Sequence, residues 1–272
     1  VVLARTAGPR HASEIAERAE GCSTVIALGG DGVIHEVAGG LMRRPAAHRP
    51  ALGVIPVGSG NDYARTLGVS NKVDEAGAQL LKAEAHPADL GRVNGHWFVE
   101  TLSFGLDAAI ALDTMDRRQK SGRAGTMLYL ESAVDQLFHH LQVFSFKMDV
   151  LGAEPGCAPH PEWDDAYLVA VQVGPTYGGH FRITPKARLD DGLLDICWAT
   201  PELSPMRALA LLLRARGGKH TGNDHIHFRR ASSLVLDFEE EPPAQMDGEP
   251  VRGTHFVIDC VPDALTVVVG QR

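Results

Sequence analysis

The chain has 272 residues, 44% of them hydrophobic and 22% charged, with 29 glycines, which suits one large or two ordinary α/β-type domains with real cores. A net charge of −8 argues against nucleic acid as a partner, and no apolar run reaches the 18 residues a membrane-spanning helix needs. Four widely spaced cysteines (Cys22, Cys157, Cys197 and Cys260) form no Cys-x-x-Cys pair, and no signal-peptide pattern opens the chain, so reduced thiols in a cytoplasmic protein are expected.

Taken in order, Val1–Ala4 reads as a strand that ends near Thr6, with no initiator Met before it, so residues upstream are expected to be missing. A turn at Ala7-Gly8-Pro9 leads to a helix over His11–Glu20, with Ala12, Ile15, Ala16 and Ala19 inward. Val25–Leu28 is a buried strand broken by Gly29-Gly30-Asp31-Gly32, and Ile34, Val37 and Leu41 then fall on one helix face. Glycines let backbone N–H groups approach an anion, and the following helix N-terminus adds favourable potential, so this is a candidate phosphate site. Asp31 in its middle would repel a phosphate unless Mg²⁺ or a proton intervenes, which points to nucleotide chemistry.

After a loop at Arg43–Pro50, Ala51–Pro56 is a second buried strand. It ends in Gly58-Ser59-Gly60-Asn61-Asp62, again a glycine loop carrying an Asp before a helix. Strands alternating with helices imply a parallel sheet with ligands at its carboxyl rim, which would bring the two Asp-bearing loops together. Val73–Ala85 reads as a helix. From Asp89 the texture is β-rich, with strands expected at Trp97–Leu102, Val143–Val150, Tyr167–Val173, Leu193–Ala199, Ser233–Phe238, Thr254–Cys260 and Leu265–Val269, the pattern of an antiparallel sandwich. Helices over Thr126–Leu141 and Pro205–Arg216 interrupt it, and the proline-rich Gly152–Glu162 reads as a surface loop.

Two later turns carry carboxylates. Arg188-Leu189-Asp190-Asp191-Gly192-Leu193-Leu194-Asp195 is either a polar hairpin or a hard-cation loop of carboxylate and carbonyl oxygens. Met246-Asp247-Gly248-Glu249-Pro250 is either a solvated turn or a general-base pair. Leu209, Leu211, Leu212 and Leu213 beside Arg207, Arg214, Arg216 and Lys219 read as an ordinary core helix with a basic end or as a membrane-docking element.

Together these stretches resemble the diacylglycerol kinase catalytic domain family, which includes bacterial diacylglycerol kinases and the sphingosine and ceramide kinases. Gly29–Val37 matches the motif Gly-Gly-Asp-Gly-Thr-x-Asn-Glu-Val, except that Val33 replaces Thr and His35 replaces Asn. Gly58–Ala64 matches Gly-(Thr/Ser)-(Gly/Ala)-Asn-Asp-(Phe/Tyr)-Ala throughout, and Asp190–Asp195 and Asp247–Pro250 supply the family's later motifs in order. The family's first strand and its Asn-Pro-x-(Ser/Thr)-Gly loop would precede Val1.

The resemblance implies a Rossmann-like α/β nucleotide-binding domain at 1–88, packed on an all-β sandwich for lipid at 89–272, with the last strand returning to the first domain. It implies ATP held by Thr6, Gly29, Gly30, Asp31, Gly32, Val33, Ile34, His35, Glu36, Gly58, Ser59, Gly60 and Asn61. A structural Mg²⁺ would sit on the Arg188 and Leu193 carbonyls and the Asp191 carboxylate. Asp31, Asp62 and Asp89 would form the acidic network for catalytic Mg²⁺, and Glu249 or Asp247 would accept the proton. The implied activity is transfer of the ATP γ-phosphate to a lipid hydroxyl, diacylglycerol first among them, at the inner face of the cell membrane, with homodimerisation left open. A sphingosine-type long-chain-base kinase, an NAD kinase-like enzyme and a catalytically inactive nucleotide- or lipid-binding regulator are the alternatives. The Gly58–Ala64 motif argues against the NAD kinase.

Overall fold

Two short apolar runs, Thr24–Gly29 (β1) and Ala51–Pro56 (β2), pair in parallel, in register from Thr24 with Ala51 to Gly29 with Pro56. The computed structural model that shows this describes residues 1–123, 125–153 and 160–269. Each strand ends in a glycine loop that feeds a helix, Asp31–Met42 (α2) after β1 and Asp62–Thr66 (α3) after β2. His11–Glu17 (α1) packs on α2, and Val73–Leu80 (α4) packs on β2. Ile34, Val37, Leu41, Leu52, Val54 and Tyr63 make the core of this first region.

The second region is a sandwich of antiparallel strands. Its strands are Glu84–Val93 (β3), His96–Phe98 (β4), Thr101–Gly105 (β5), Phe144–Ala153 (β6), His160–Ala166 (β7), Leu168–Gln172 (β8), Leu194–Ala199 (β9), Ile226–Phe238 (β10), Ala244–Met246 (β11), Glu249–Val251 (β12) and His255–Val269 (β13). Long β10 pairs with β9 through Ile226–Ala231 and with both β6 and β13 further on, so it passes from one layer of the sandwich to the other. Phe104, Phe238 and Phe256 fill the space between layers, with ring centroids 4.7 to 6.1 Å apart. Helices Leu106–Ser121 (α5), Thr126–His139 (α6) and Pro205–Ala215 (α7) cover the face built by β8 and β9. β13 bridges the regions: its start pairs with β10, its length with β3, and Val267 pairs with Leu52 of β2 in parallel. The 88/89 division falls inside β3, and the β3–β13 ribbon is the joint.

Several expectations change. Val1–Thr6 forms no strand, because a strand exists only by pairing and these exposed residues pair with none. α1 stops at Glu17, and the helix expected to Ala85 stops at Leu80, since Glu84 onward pairs with β13. Trp97–Leu102 is two strands, not one, because the chain turns at Val99-Glu100. α5 was not anticipated. Its outer surface is charged, and it is braced by Arg117 with Asp113 and Lys120 with Asp116 at helical spacing. β6 and β7 extend into the stretch read as a surface loop; its remaining residues, 154–159 with Cys157, lie outside the described residues. No helix among the described residues is long and apolar enough to cross a membrane.

Candidate active site

The two glycine loops meet backbone to backbone. A side chain on Gly30 would begin 3.0 Å from the Cα of Gly58, so the contact requires glycines. Gly30 caps α2 with no side-chain partner, leaving the first N–H groups of that helix directed at the loop. Val33 folds back over Gly29 and joins the core edge.

Asp31 and Asp62 flank Gly60. A Cβ built there would stand 2.7 Å from Asp31 Oδ2 and 3.2 Å from Asp62 Oδ2. Asp31 accepts a hydrogen bond from the Tyr63 N–H at 3.3 Å. Burial, with the repulsion of Asp62 added, pushes the Asp31 carboxyl up to about 6. Asp62 is held from the second region, accepting from Gly179 N–H (2.7 Å) and His180 N–H (2.9 Å) while Arg65 contacts it at 3.1 Å. Gly178, Gly179 and His180 all have positive φ, and this unusual backbone aims two successive amides at the carboxylate.

The opposite wall comes from the sandwich. Asp247, in the β11–β12 turn at φ 48°, accepts from Val99 N–H (2.6 Å), Glu100 N–H (3.1 Å), Thr101 N–H (2.9 Å) and His35 Nδ1 (2.8 Å). It braces the Val99–Thr101 bend and ties it to α2. Burial works to lower the pKa of His35, but the hydrogen bond and charge of Asp247, with Glu249 and Glu36 nearby, outweigh it and raise it above 6.5. The braced bend presents Glu100, buried, with Thr66 Oγ1 donating to its Oε1 at 2.8 Å. Burial, then the charges of Asp62 and Asp31, hold the Glu100 carboxyl well above the usual range. Asp31, Asp62, Glu100 and Asp247 line a cavity of about 230 Å³ whose α5 and α6 side presents Met115, Leu128 and Tyr129, with Thr114 and Arg118 of α5 beside them. Behind Tyr129, fully buried Asp107 is pushed up to about 6 by burial, and its Oδ2 lacks a hydrogen-bond partner. A pocket of about 70 Å³ lies beyond it under α7.

The remaining expected residues fall elsewhere. Ser59 and Gly60 line the cavity. Asn61 instead braces its own loop, accepting from Gly58 N–H at 2.9 Å and donating to the Gly58 carbonyl at 3.0 Å. Ile34 is fully buried in the core. Glu36 caps α1 by accepting from the Arg10 and Ala12 N–H groups at 2.8 and 3.1 Å. Thr6 is exposed, in no regular element. Asp89 lies outside the cavity lining; it accepts from Gly192 N–H (2.7 Å) and Asp263 N–H (3.0 Å), stitching the 190–192 turn to the β13 bulge. Glu249 is exposed and outside the cavity lining, close enough to His35 to shift it.

In the expected structural-metal loop, Asp191 accepts from Leu193 N–H at 3.2 Å and from the Arg230 guanidinium, while Arg188 pairs with Asp190 at 3.0 Å. Asp191 and the more buried Asp195 both pair with the Arg230 guanidinium, so a cation here would have to displace that arginine. No group of three or more His, Cys, Asp or Glu able to hold a metal occurs among the described residues. Asp31, which has no cationic partner among the described residues, fits one, with Asp62 beside it sharing its Arg65 contact, since Mg²⁺ is commonly bound by one or two carboxylates completed by substrate phosphates.

Glu100, Asp107 and the Gly178–His180 loop were not anticipated. Sequence offers one hint for Glu100, a lone acid inside an apolar run.

Residues 1–93 match the family model of the diacylglycerol kinase catalytic domain, and residues 100–269 match that of the YegS C-terminal NAD kinase beta sandwich-like domain. Two proteins named "Probable lipid kinase YegS-like", from Yersinia pestis (strain Pestoides F) and Yersinia pseudotuberculosis serotype O:1b (strain IP 31758), are each 30% identical to this chain. The match in each case runs over 248 residues, 89% of this chain and 77% of theirs. A crystal structure of a diacylglycerol kinase from Bacillus anthracis str. Sterne superposes over 97% of this chain and 83% of its own, with a TM-score of 0.73 at 23% identity, a likeness of fold.

Proposed function

The chain belongs to the diacylglycerol kinase catalytic domain family, among its YegS-like lipid kinases, and from that premise we propose that it transfers the γ-phosphate of ATP to a lipid hydroxyl, diacylglycerol giving phosphatidic acid. In this reading residues 1–88 hold the nucleotide and residues 89–272 hold the lipid, at the inner face of the cell membrane. The observation that carries it is the shared cavity, where the acids of both glycine loops face a braced acid from the sandwich and apolar side chains of α5 and α6.

The Gly30 and Gly58 loops and the α2 N-terminus receive the phosphates, which demand close backbone approach and positive potential. Asp31 and Asp62 would hold Mg²⁺, which supplies charge neutralisation at the phosphates; their mutual repulsion is what a cation relieves. Met115, Leu128 and Tyr129 would exclude water and orient the lipid. Of the two carboxylates in the β11–β12 turn, Asp247 is committed to four donors and acts as the brace. The Glu249 side chain has no hydrogen bond or ion pair among the described residues, so in this reading it turns toward the cavity and takes the proton of a substrate hydroxyl.

The test is incubation with γ-labelled ATP, Mg²⁺ and a mixed lipid extract, followed by identification of the labelled product. Labelled phosphatidic acid supports the full proposal. A labelled long-chain-base phosphate keeps the kinase and changes its acceptor, and label released only as inorganic phosphate refutes lipid transfer.

A further inference from the structure

α6 and α7 lie against one another and share an inner side. Leu137 of α6 and Leu211 of α7 both line the apolar pocket above β8 and β9. Their outer sides are also apolar, which a solvated helix pair does not need. On α6, Met127, Val134 and Phe138 recur at spacings of seven and four, and on α7 Met206, Ala210 and Leu213 recur at four and three. Met127 and Met206 are each 66% exposed, and Val134, Phe138 and Leu213 are exposed as well.

The acids of α6 on this side, Glu131 and Asp135, are paired with Arg123 and Arg117, so the unpaired charge around the face is positive and comes from α7. From Pro205 to His220 the cations are Arg207, Arg214, Arg216 and Lys219, with no Asp or Glu, in a chain of net charge −8. None of the four is paired with a carboxylate among the described residues. α6 adds continuity with the site, because its Leu128 and Tyr129 line the reaction cavity.

We propose that the outer face of α6 and α7 docks on an anionic phospholipid bilayer, its apolar side chains entering the interface while Arg207, Arg214, Arg216 and Lys219 meet the head groups. This rests on the lipid-kinase reading and names the surface through which that enzyme reaches its substrate. The apolar stripe supplies area buried at the acyl boundary, and the cations supply attraction to negative lipid. A protein partner or second copy would need no such excess of a single charge sign.

The test is co-sedimentation with vesicles of phosphatidylglycerol and phosphatidylcholine, against vesicles of phosphatidylcholine alone, without ATP. The variants are Met206→Glu with Leu213→Glu, and Arg207→Gln with Arg214→Gln, each checked for an unchanged melting transition. The wild type is expected to partition to the anionic vesicles. The double arginine variant should lose about 25-fold, roughly fivefold per cation, and the double glutamate variant should lose binding altogether. Kinase turnover on a monomerically dispersed short-chain lipid should be unchanged in both. Equal partitioning of variants and wild type overturns the inference, as does a wild type that ignores anionic vesicles. A change in oligomeric state on Leu213→Glu would also overturn it, by showing that a second copy covers the face. Because sedimentation needs no turnover, a wild type that phosphorylates dispersed lipid yet ignores anionic vesicles defeats this inference alone, and vesicle binding by a wild type that phosphorylates no lipid defeats only the functional reading.

Discussion

Asp247→Asn changes one oxygen to an amide nitrogen and leaves the side chain's shape intact. With the surviving oxygen placed on Glu100 and Thr101, the new NH₂ faces the Val99 N–H and His35, which now contact Asp247 at 2.6 and 2.8 Å. With His35 carrying its Nδ1 proton, two hydrogen bonds to a charged acceptor are lost, each worth about 1.5–3 kcal/mol, so the variant should be destabilised by about 3–6 kcal/mol. For a chain of this size that lowers the melting temperature by roughly 5–10 °C. Glu249→Gln provides the contrast, since its exposed side chain makes no such contacts. It should melt with the wild type yet turn over about 100-fold more slowly, if its carboxylate accepts the lipid proton. Circular dichroism melts and initial rates on both variants decide the matter. An Asp247→Asn protein that melts with the wild type would refute the brace, and full turnover in Glu249→Gln would refute the base.

Three other outcomes are expected. The pKa of His35 is raised on folding, so its contribution is complete below 6.5 and fades as pH rises through the folded value; His35→Asn should therefore cost more stability at pH ~6 than at pH ~8.5, and a constant gap between the melts would contradict this. Asp107, raised from 3.8 to about 6, costs about 3 kcal/mol once ionised in its buried site. Asp107→Asn should thus melt above the wild type at pH ~7.5 and lose that advantage as pH falls through 6 toward 3.8; an equal or lower melt at pH ~7.5 counts against it. Arg230→Gln should lower the melt by exposing Asp191 to Asp195, and added Mg²⁺ should recover part of the loss by binding the vacated carboxylates; a melt unmoved by the substitution would show that Arg230 is not what neutralises this loop.

How much of this was legible in the sequence depended on distance along the chain. β1 with its loop and β2 with its loop were readable, because an apolar run, a glycine turn and a helical pattern are local signals. Val1–Ala4 has the same apolar signature and forms no strand, since propensity without a pairing partner orders nothing. α5 escaped because Asp113, Asp116, Arg117, Arg118 and Lys120 obscure its narrow buried face, while the salt bridges that support it follow helical spacing. The Asp247 turn reads as solvated from its composition, and nothing local shows that its carboxylate gathers three amides from residues 99–101, some 146 to 148 positions away. The expected roles of Glu36 and Asp89 shifted for the same reason. Each carboxylate found backbone N–H groups brought to it only by tertiary folding.

In the proposed reaction, Asp31 and Asp62 make the cavity between the glycine loops and the sandwich a phosphoryl-transfer site. Asp31→Asn is nearly isosteric and removes the charge at the point where the two loops meet. The decisive measurement is transfer of label from γ-labelled ATP to lipid by wild type and Asp31→Asn at matched folding, verified by melting. Labelled lipid is expected from the wild type, and a loss of at least about 100-fold in the variant, as when a positioned charge at the reacting phosphate is removed. Lipid labelling by Asp31→Asn at the wild-type rate would contradict it.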